Sequence, residues 1–237
     1  YARHISKFIA VSRTTEYRII KDLRVKQERI STVYNGVDIE LFRPPNSNEE
    51  ERKYSEPTIV YVGRMLAKKG IHVLIKVMPK VLQHFPEAKF LFVGGGSIPL
   101  YRKAIRQIGI QRENFSFIGH IGYFERPAIL RRATVFVNPS IFENCSLSIL
   151  EAMSCGSAVV ASKVGGNMEI IQHGRNGCLV PVFDESKLGE SIISLLKDEG
   201  FNKKMGKEAR EAVENSFSSK RCALETYEVY RQLLNVG

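Results

Sequence analysis

The sequence predicts a doubly wound α/β domain built on a parallel sheet, and three observations carry that prediction. Short β-branched or aromatic runs recur from Thr58 onward, amphipathic helical patterns separate them, and glycine or charged clusters sit where each run passes into a helix. Strands covered by helices on both faces read as near-continuous apolar runs, and TIVYVG, KFLFVGGG, NFSFIG, TVFVNPS and SAVVAS all have that character.

In order, TIVYVG is the first strand and residues 71 to 84 its helix; KFLFVGGG is followed by a helix over residues 100 to 108. NFSFIG leads to a short helix over 126 to 132, TVFVNPS to a helix over 147 to 155, and SAVVAS to a glycine loop and a short helix. The strand GCLVPV and helices over 185 to 197, 201 to 215 and 220 to 234 complete the pattern. Before Thr58 the order differs. SKFIAVS reads as a strand, residues 14 to 23 as a helix and ISTVYNG as a strand, and RPPNSNEEERKYSEP has linker composition. The expected organisation is a remnant of a preceding α/β domain (1–34), a linker (35–57), a ligand-binding Rossmann-like domain (58–215) and a C-terminal helix (216–237).

The chain has 237 residues, 43% of them hydrophobic, which is enough for a full core. No apolar run is long enough to span a bilayer. It opens on YARHISKFIAVS without Met, so it is expected to be cut from a longer protein. The four cysteines are scattered, with no C-x-x-C pair, and read as reduced thiols of a cytoplasmic protein. No Asp-x-Asp pair or His cluster offers metal ligands, so no metal and no cofactor are expected. Net charge is +10, and residues 54 to 150 hold 13 Lys and Arg against 5 Asp and Glu. That surplus suits a nucleotide diphosphate or the anionic inner face of a membrane. Nucleic acid is disfavoured, because no aromatic stacking platform is interleaved with the cations.

The richest stretch is FVNPSIFENCSLSILEAMSCG, residues 136 to 156. If Ser146 caps the helix, the N–H groups of Leu147, Ser148 and Ile149 point out of a terminus that carries about half a positive charge. An anion fits there. Glu151, a turn inside, leans back over the loop that presents Glu143, and carboxylates accept well from vicinal hydroxyls. The implied ligand combines sugar and phosphate. GRMLAKKG, residues 63 to 70, brings Arg64, Lys68 and Lys69 to a strand end, where they suit a diphosphate leaving group. Gly94 to Ser97 read as a tight βα turn. Gly119, His120 and Ile121 close the third strand where a base can lie, His120 itself reading as a loop residue. Gly165-Gly166 and HGRNG read as structural turns.

Four segments together, VYNGVDIELFRP, YVGRMLAKKG, VNPSIFENCSLSILEAMSCG and HGRNGCLV, resemble glycosyltransferase family 4. The resemblance implies the two-domain GT-B architecture and a metal-independent, retaining sugar transfer from a nucleoside-diphosphate sugar to a glycan, lipid-linked or other hydroxyl acceptor. By position, Glu151 matches the family's ribose-binding glutamate and Glu143 the one that contacts the transferred sugar. Arg64 and Lys69 match its diphosphate-binding pair, and Asn144, Cys145, Ser146 and Leu147 match backbone near the sugar and distal phosphate. The catalytic set implied is Arg64, Lys69 and Glu143; the donor-binding set adds Gly63, Ile121, Asn144, Cys145, Ser146, Leu147 and Glu151. Many members place glycine after the first glutamate, whereas this chain has Asn144-Cys145-Ser146, which leaves donor identity open. Residues 1 to 34 match only the end of the acceptor-side domain, so the isolated chain is expected to bind donor without transferring sugar. The competing readings are a non-catalytic nucleotide-sugar binding module and a GT-B-fold epimerase.

Overall fold

The computed structural model of the chain describes residues 4 to 234. A small first unit consists of β1 (Phe8–Ala10), α1 (Arg13–Leu23) and β2 (Ile30–Thr32), the strands being parallel. Its core is Ala10, Val25 and Ile30. α1 begins at Ser12, whose Oγ accepts from Thr15 N; the helix buries none of its own residues and leaves Tyr17 and Leu23 exposed.

The polar stretch before Thr58 corrects the sequence reading, because it contains α2 (Ser47–Ser55). The cause is local. Asn46 Oδ1 accepts from Glu49 N while Glu49 Oε2 accepts from Asn46 N, a capping box that linker-like composition conceals. The helix is also docked, with Glu49 Oε1 3.0 Å from Arg131 Nε and the Tyr54 hydroxyl donating to Asn202 Oδ1. Lys53 is only 3% exposed and donates to the Gly156 carbonyl. Burial pushes its ammonium from the ordinary 10.5 down to about 8. The folded state therefore disfavours the charge. That penalty is complete below pH 8 and fades as pH rises toward 10.5, so stability should climb across this window. Replacing Lys53 with Met should raise stability at pH 7 by about 2 kcal/mol, net of the lost hydrogen bond, and should flatten that climb in melts run at several pH values.

The main sheet has six parallel strands: β3 (Thr58–Val62), β4 (Lys89–Val93), β5 (Phe115–Gly119), β6 (Val135–Asn138), β7 (Ala158–Ser162) and β8 (Cys178–Val180). Their order is β5-β4-β3-β6-β7-β8. Alternate strand residues feed two cores. Ile59, Tyr61, Phe90, Phe92, Val135 and Val137 pack under α3 (Ile71–His84), α4 (Ile98–Gln107) and α8 (Glu185–Lys197). Val60, Phe136, Val159 and Ala161 pack under α5 (Arg126–Arg131), α6 (Leu147–Ser154) and α9 (Glu199–Ser216). α7 (Asn167–Ile170) is a single turn between β7 and β8.

α10 (Ser219–Leu234) ends the described chain and is tied to residue 37 by Ser219 N donating to the Val37 carbonyl. Of its own residues only Val229 is buried, and Leu224, Tyr227, Tyr230, Leu233 and Leu234 are exposed. No helix among the described residues is long and apolar enough to cross a membrane.

The strand order reverses between β3 and β6. Their following helices, α3 and α6, go to opposite faces, which opens a crevice at the carboxyl ends of the strands.

Candidate functional site

That crevice holds a cavity of about 400 Å³. Two loops meet to form it. The β3 loop is pinned to the β6 loop by Ile141 N donating to the Lys68 carbonyl, and Gly70, at φ 69°, passes so close to Pro139 that a Cβ would lie 1.8 Å from its oxygen. This contact sets Lys69 opposite Glu143.

The Lys69 ammonium is 2.6 Å from Glu143 Oε1, which also accepts from Ser140 Oγ at 2.7 Å and more distantly from Asn138 Nδ2. Glu143 is 8% exposed, and its Oε2 makes no hydrogen bond with any described residue. On the other wall, Arg126 Nη1 stands 2.8 Å from Glu151 Oε1. Glu151 is 2% exposed, and its Oε2 is buried without a partner. Burial raises the Glu151 pKa, and Arg126 opposes the rise without cancelling it. Glu151 lines the cavity, and a buried acceptor without a partner beside such a space is a place for a ligand hydroxyl.

Between the two acids lies the start of α6. Ser146 stands at the N-cap but accepts no backbone hydrogen bond, which corrects the capping expectation: its Oγ is instead 3.2 Å from Ser148 Oγ and takes a contact from Asn138 Nδ2. The N–H groups of Leu147 and Ser148 thus have no side-chain cap, and both residues line the cavity. An uncapped helix start beside cations attracts an anion. Arg64 lines the same cavity from the end of β3, exposed and without an ion-pair partner among the described residues.

Of the residues named from the sequence, Gly63, Arg64, Lys69, Ile121, Glu143, Cys145, Ser146, Leu147 and Glu151 all line this cavity. Asn144 does not. It is exposed, and its carbonyl is turned onto Gly166 of the loop after β7. Cys145 keeps its thiol protonated, because burial pushes its pKa up to about 11, while its carbonyl accepts from Asn35 Nδ2. Gly94 and Gly95 line the cavity as well, but the turn is tight for a packing reason: a Cβ on Gly94 would lie 2.1 Å from the Gly63 oxygen. His120, read as a loop histidine, is also in the lining.

Sequence reasoning missed Arg126, Asn138 and Asn35. Arg126 is 25 residues from Glu151, and no local spacing announces a pair made by tertiary folding. It also missed Glu169. This carboxylate accepts from Arg13 N, Thr14 N, Thr14 Oγ1 and the Tyr34 hydroxyl at 2.7 to 2.9 Å. These bonds hold its pKa low against burial, while burial first, and then the bond to Glu169, push the Tyr34 hydroxyl up to about 12. They join the β1–β2 unit to α7, directly after the Gly165-Gly166 floor beneath residues 143 to 145. No group of three His, Cys, Asp or Glu that could hold a metal ion occurs among the described residues.

Similarity to known proteins agrees with this geometry. The family model for glycosyl transferases group 1 matches residues 42–212. An uncharacterised glycosyltransferase of Methanocaldococcus jannaschii is 31% identical, the alignment covering 94% of this chain and 59% of the relative. An alpha-maltose-1-phosphate synthase of Mycolicibacterium smegmatis is 30% identical over 87% of this chain and 57% of its own length. The solved sucrose-phosphate synthase of Thermosynechococcus elongatus superposes with a TM-score of 0.84 at 28% identity, covering 97% of this chain and 58% of that one. The chain therefore spans less than two thirds of each of these relatives. With the family model matched across β3 to α9 and the cavity at the switch point of its sheet, the chain belongs to the group 1 glycosyl transferases.

Proposed function

We propose that this chain is the donor-binding part of a retaining glycosyltransferase that moves a sugar from a nucleoside-diphosphate sugar to a hydroxyl of a glycan, lipid-linked or other acceptor. The observation that carries the reading is the partnerless, buried Oε2 of Glu151 beside the uncapped start of α6. The acid supplies acceptors for the ribose diol, and the helix start supplies N–H donors for the diphosphate. Ile121 and the backbone around it border the space for the base.

In this reading the bond between the anomeric carbon and the diphosphate oxygen breaks, and the electron pair leaves with the phosphate. Arg64, Lys69 and the α6 N-terminus stabilise the charge that develops. The acceptor oxygen bonds to the anomeric carbon on the face the diphosphate vacates, and its proton passes to the departing phosphate. Glu143, held by Lys69, Ser140 and Asn138, orients hydroxyls of the transferred sugar through Oε2. The chemistry assigns no step to a metal ion.

Arg64 offers a clean test because its guanidinium has no partner among the described residues to strand when it is removed. In the full-length enzyme Arg64→Ala should slow transfer by about 10²- to 10³-fold while leaving the melting temperature unchanged. An unchanged rate would remove Arg64 from the mechanism. A thermal-shift panel of UDP-, GDP- and ADP-sugars identifies the base, and full-length protein that binds the donor without transferring or hydrolysing it would replace this reading with that of a binding module.

A further inference from the structure

A second basic site lies away from the switch-point cavity, in the groove between α4 and the sheet edge. Arg102 and Arg106 stand one helical turn apart on α4, and Arg112 sits in the turn leading to β5. All three line one cavity of about 250 Å³, together with Phe115, Ser116 and Phe117. β5 is the outermost strand and pairs only with β4, so its outer backbone edge has no strand partner.

The groove is charged and uncompensated. From residue 98 to residue 113 the sequence has four cations, Arg102, Lys103, Arg106 and Arg112, against one acid, Glu113, which pairs with no described residue, and no carboxylate lines the cavity. Arg126, Arg131, Arg175 and Arg210 all enter ion pairs. Arg102, Arg106 and Arg112 enter none with any described residue. Arg106, in the last turn of α4, complements the helix dipole, which explains one charge of the three. That explanation reaches neither Arg102, in mid-helix, nor Arg112, outside the helix. Arg102 lies over the Phe117 ring, 5.7 Å from its centroid, and Phe117 is itself stacked on Phe92, so this guanidinium rests on a fixed surface.

We propose that this groove is a second anion site and that its ligand is a phosphate ester or pyrophosphate group. Three guanidinium forks present many N–H donors in planar pairs, which match the several oxygens of a phosphate better than the two of a lone carboxylate. A multivalent anion also relieves the mutual repulsion of three like charges around one small cavity. The phosphate comes either from a lipid headgroup or from a soluble phosphorylated ligand.

The test uses the triple variant R102Q/R106Q/R112Q and, as a charge-matched control, K197Q/K204Q/K220Q, which removes three exposed lysines elsewhere. Inorganic pyrophosphate is titrated calorimetrically, and vesicles of phosphatidylglycerol in phosphatidylcholine are used for co-sedimentation. The switch-point cavity contributes equally in both variants. The site predicts that the arginine variant loses about tenfold in affinity for at least one probe while the control keeps it. Loss toward both probes, or toward pyrophosphate alone, places a soluble phosphate ligand within reach of the groove; loss toward vesicles alone makes the source a lipid headgroup. Equal behaviour of the two variants toward both probes overturns the proposal. If the triple variant melts early, Arg112→Glu, a single change at an exposed turn position, gives the same reading.

Discussion

Replacing Glu151 with alanine is expected to weaken binding of the preferred nucleoside diphosphate, chosen by titrating UDP, GDP and ADP, by about 100-fold. A hydrogen bond to a charged group contributes about 1.5 to 3 kcal/mol, and about 2.7 kcal/mol corresponds to that factor. The loss is large because Oε2 has no partner among the described residues to release. pH separates this role from a structural one. Burial sets the Glu151 pKa above the usual carboxylate range, so the ionised form needed by two donor hydroxyls disappears sooner as pH falls. Affinity should be full above that raised pKa and decline through it, and Glu151→Gln should lack this acid limb. Stability moves the other way. The folded state holds the proton more tightly than the unfolded chain does, so for this group stability increases as pH falls. Binding that weakens while Glu151's own contribution to stability grows is a signature that simple acid unfolding does not give.

Gly166→Ala should destabilise the protein by about 3 kcal/mol and lower nucleotide affinity with it. A Cβ there would lie 1.7 Å from the Asn144 oxygen, and at Gly165, with φ 42°, one would lie 2.0 Å from the Glu143 oxygen. Both obstacles are backbone, which no rotamer change can relieve. The loop from 143 to 145 would have to lift, carrying Glu143 away from Lys69 and moving the start of α6. Gly174 is the contrast: φ is 80° but nothing lies within 4 Å, so Gly174→Ala meets only the left-handed backbone penalty of about 1 to 2 kcal/mol and should leave nucleotide affinity alone. Denaturant melts paired with calorimetric titration distinguish the two.

The alternating run of strands and helices was legible because both faces of the sheet are covered, so each strand announces itself as an apolar run. The helix over 71 to 84 coincides with α3, and that over 185 to 197 with α8. α2 was hidden because a capping box is a relation between two side chains, Asn46 and Glu49, inside a segment whose composition says linker. In the cavity, the segments following β3 and β6 were legible since each carries its site residues in one contiguous stretch, Gly63 to Lys69 after β3 and Glu143 to Glu151 after β6. Arg126 and Glu169 were not. Each acts across a long stretch of chain, Arg126 on Glu151 and Glu169 on Thr14 and Tyr34, and the fold alone brings these groups together. Gly165-Gly166 looked like a turn and is one; that its backbone supports the loop carrying Glu143 depends on packing that local sequence does not encode.

The most direct measurement is a crystal structure of this chain soaked with the nucleoside diphosphate it binds best. The diphosphate should lie within hydrogen-bonding distance of the Leu147 and Ser148 N–H groups with Arg64 turned onto it, and Glu151 Oε2 should accept from the ribose hydroxyls. A nucleotide bound elsewhere, or one in the cavity with Oε2 still partnerless and Glu151 engaged by Arg126 alone, would contradict this assignment.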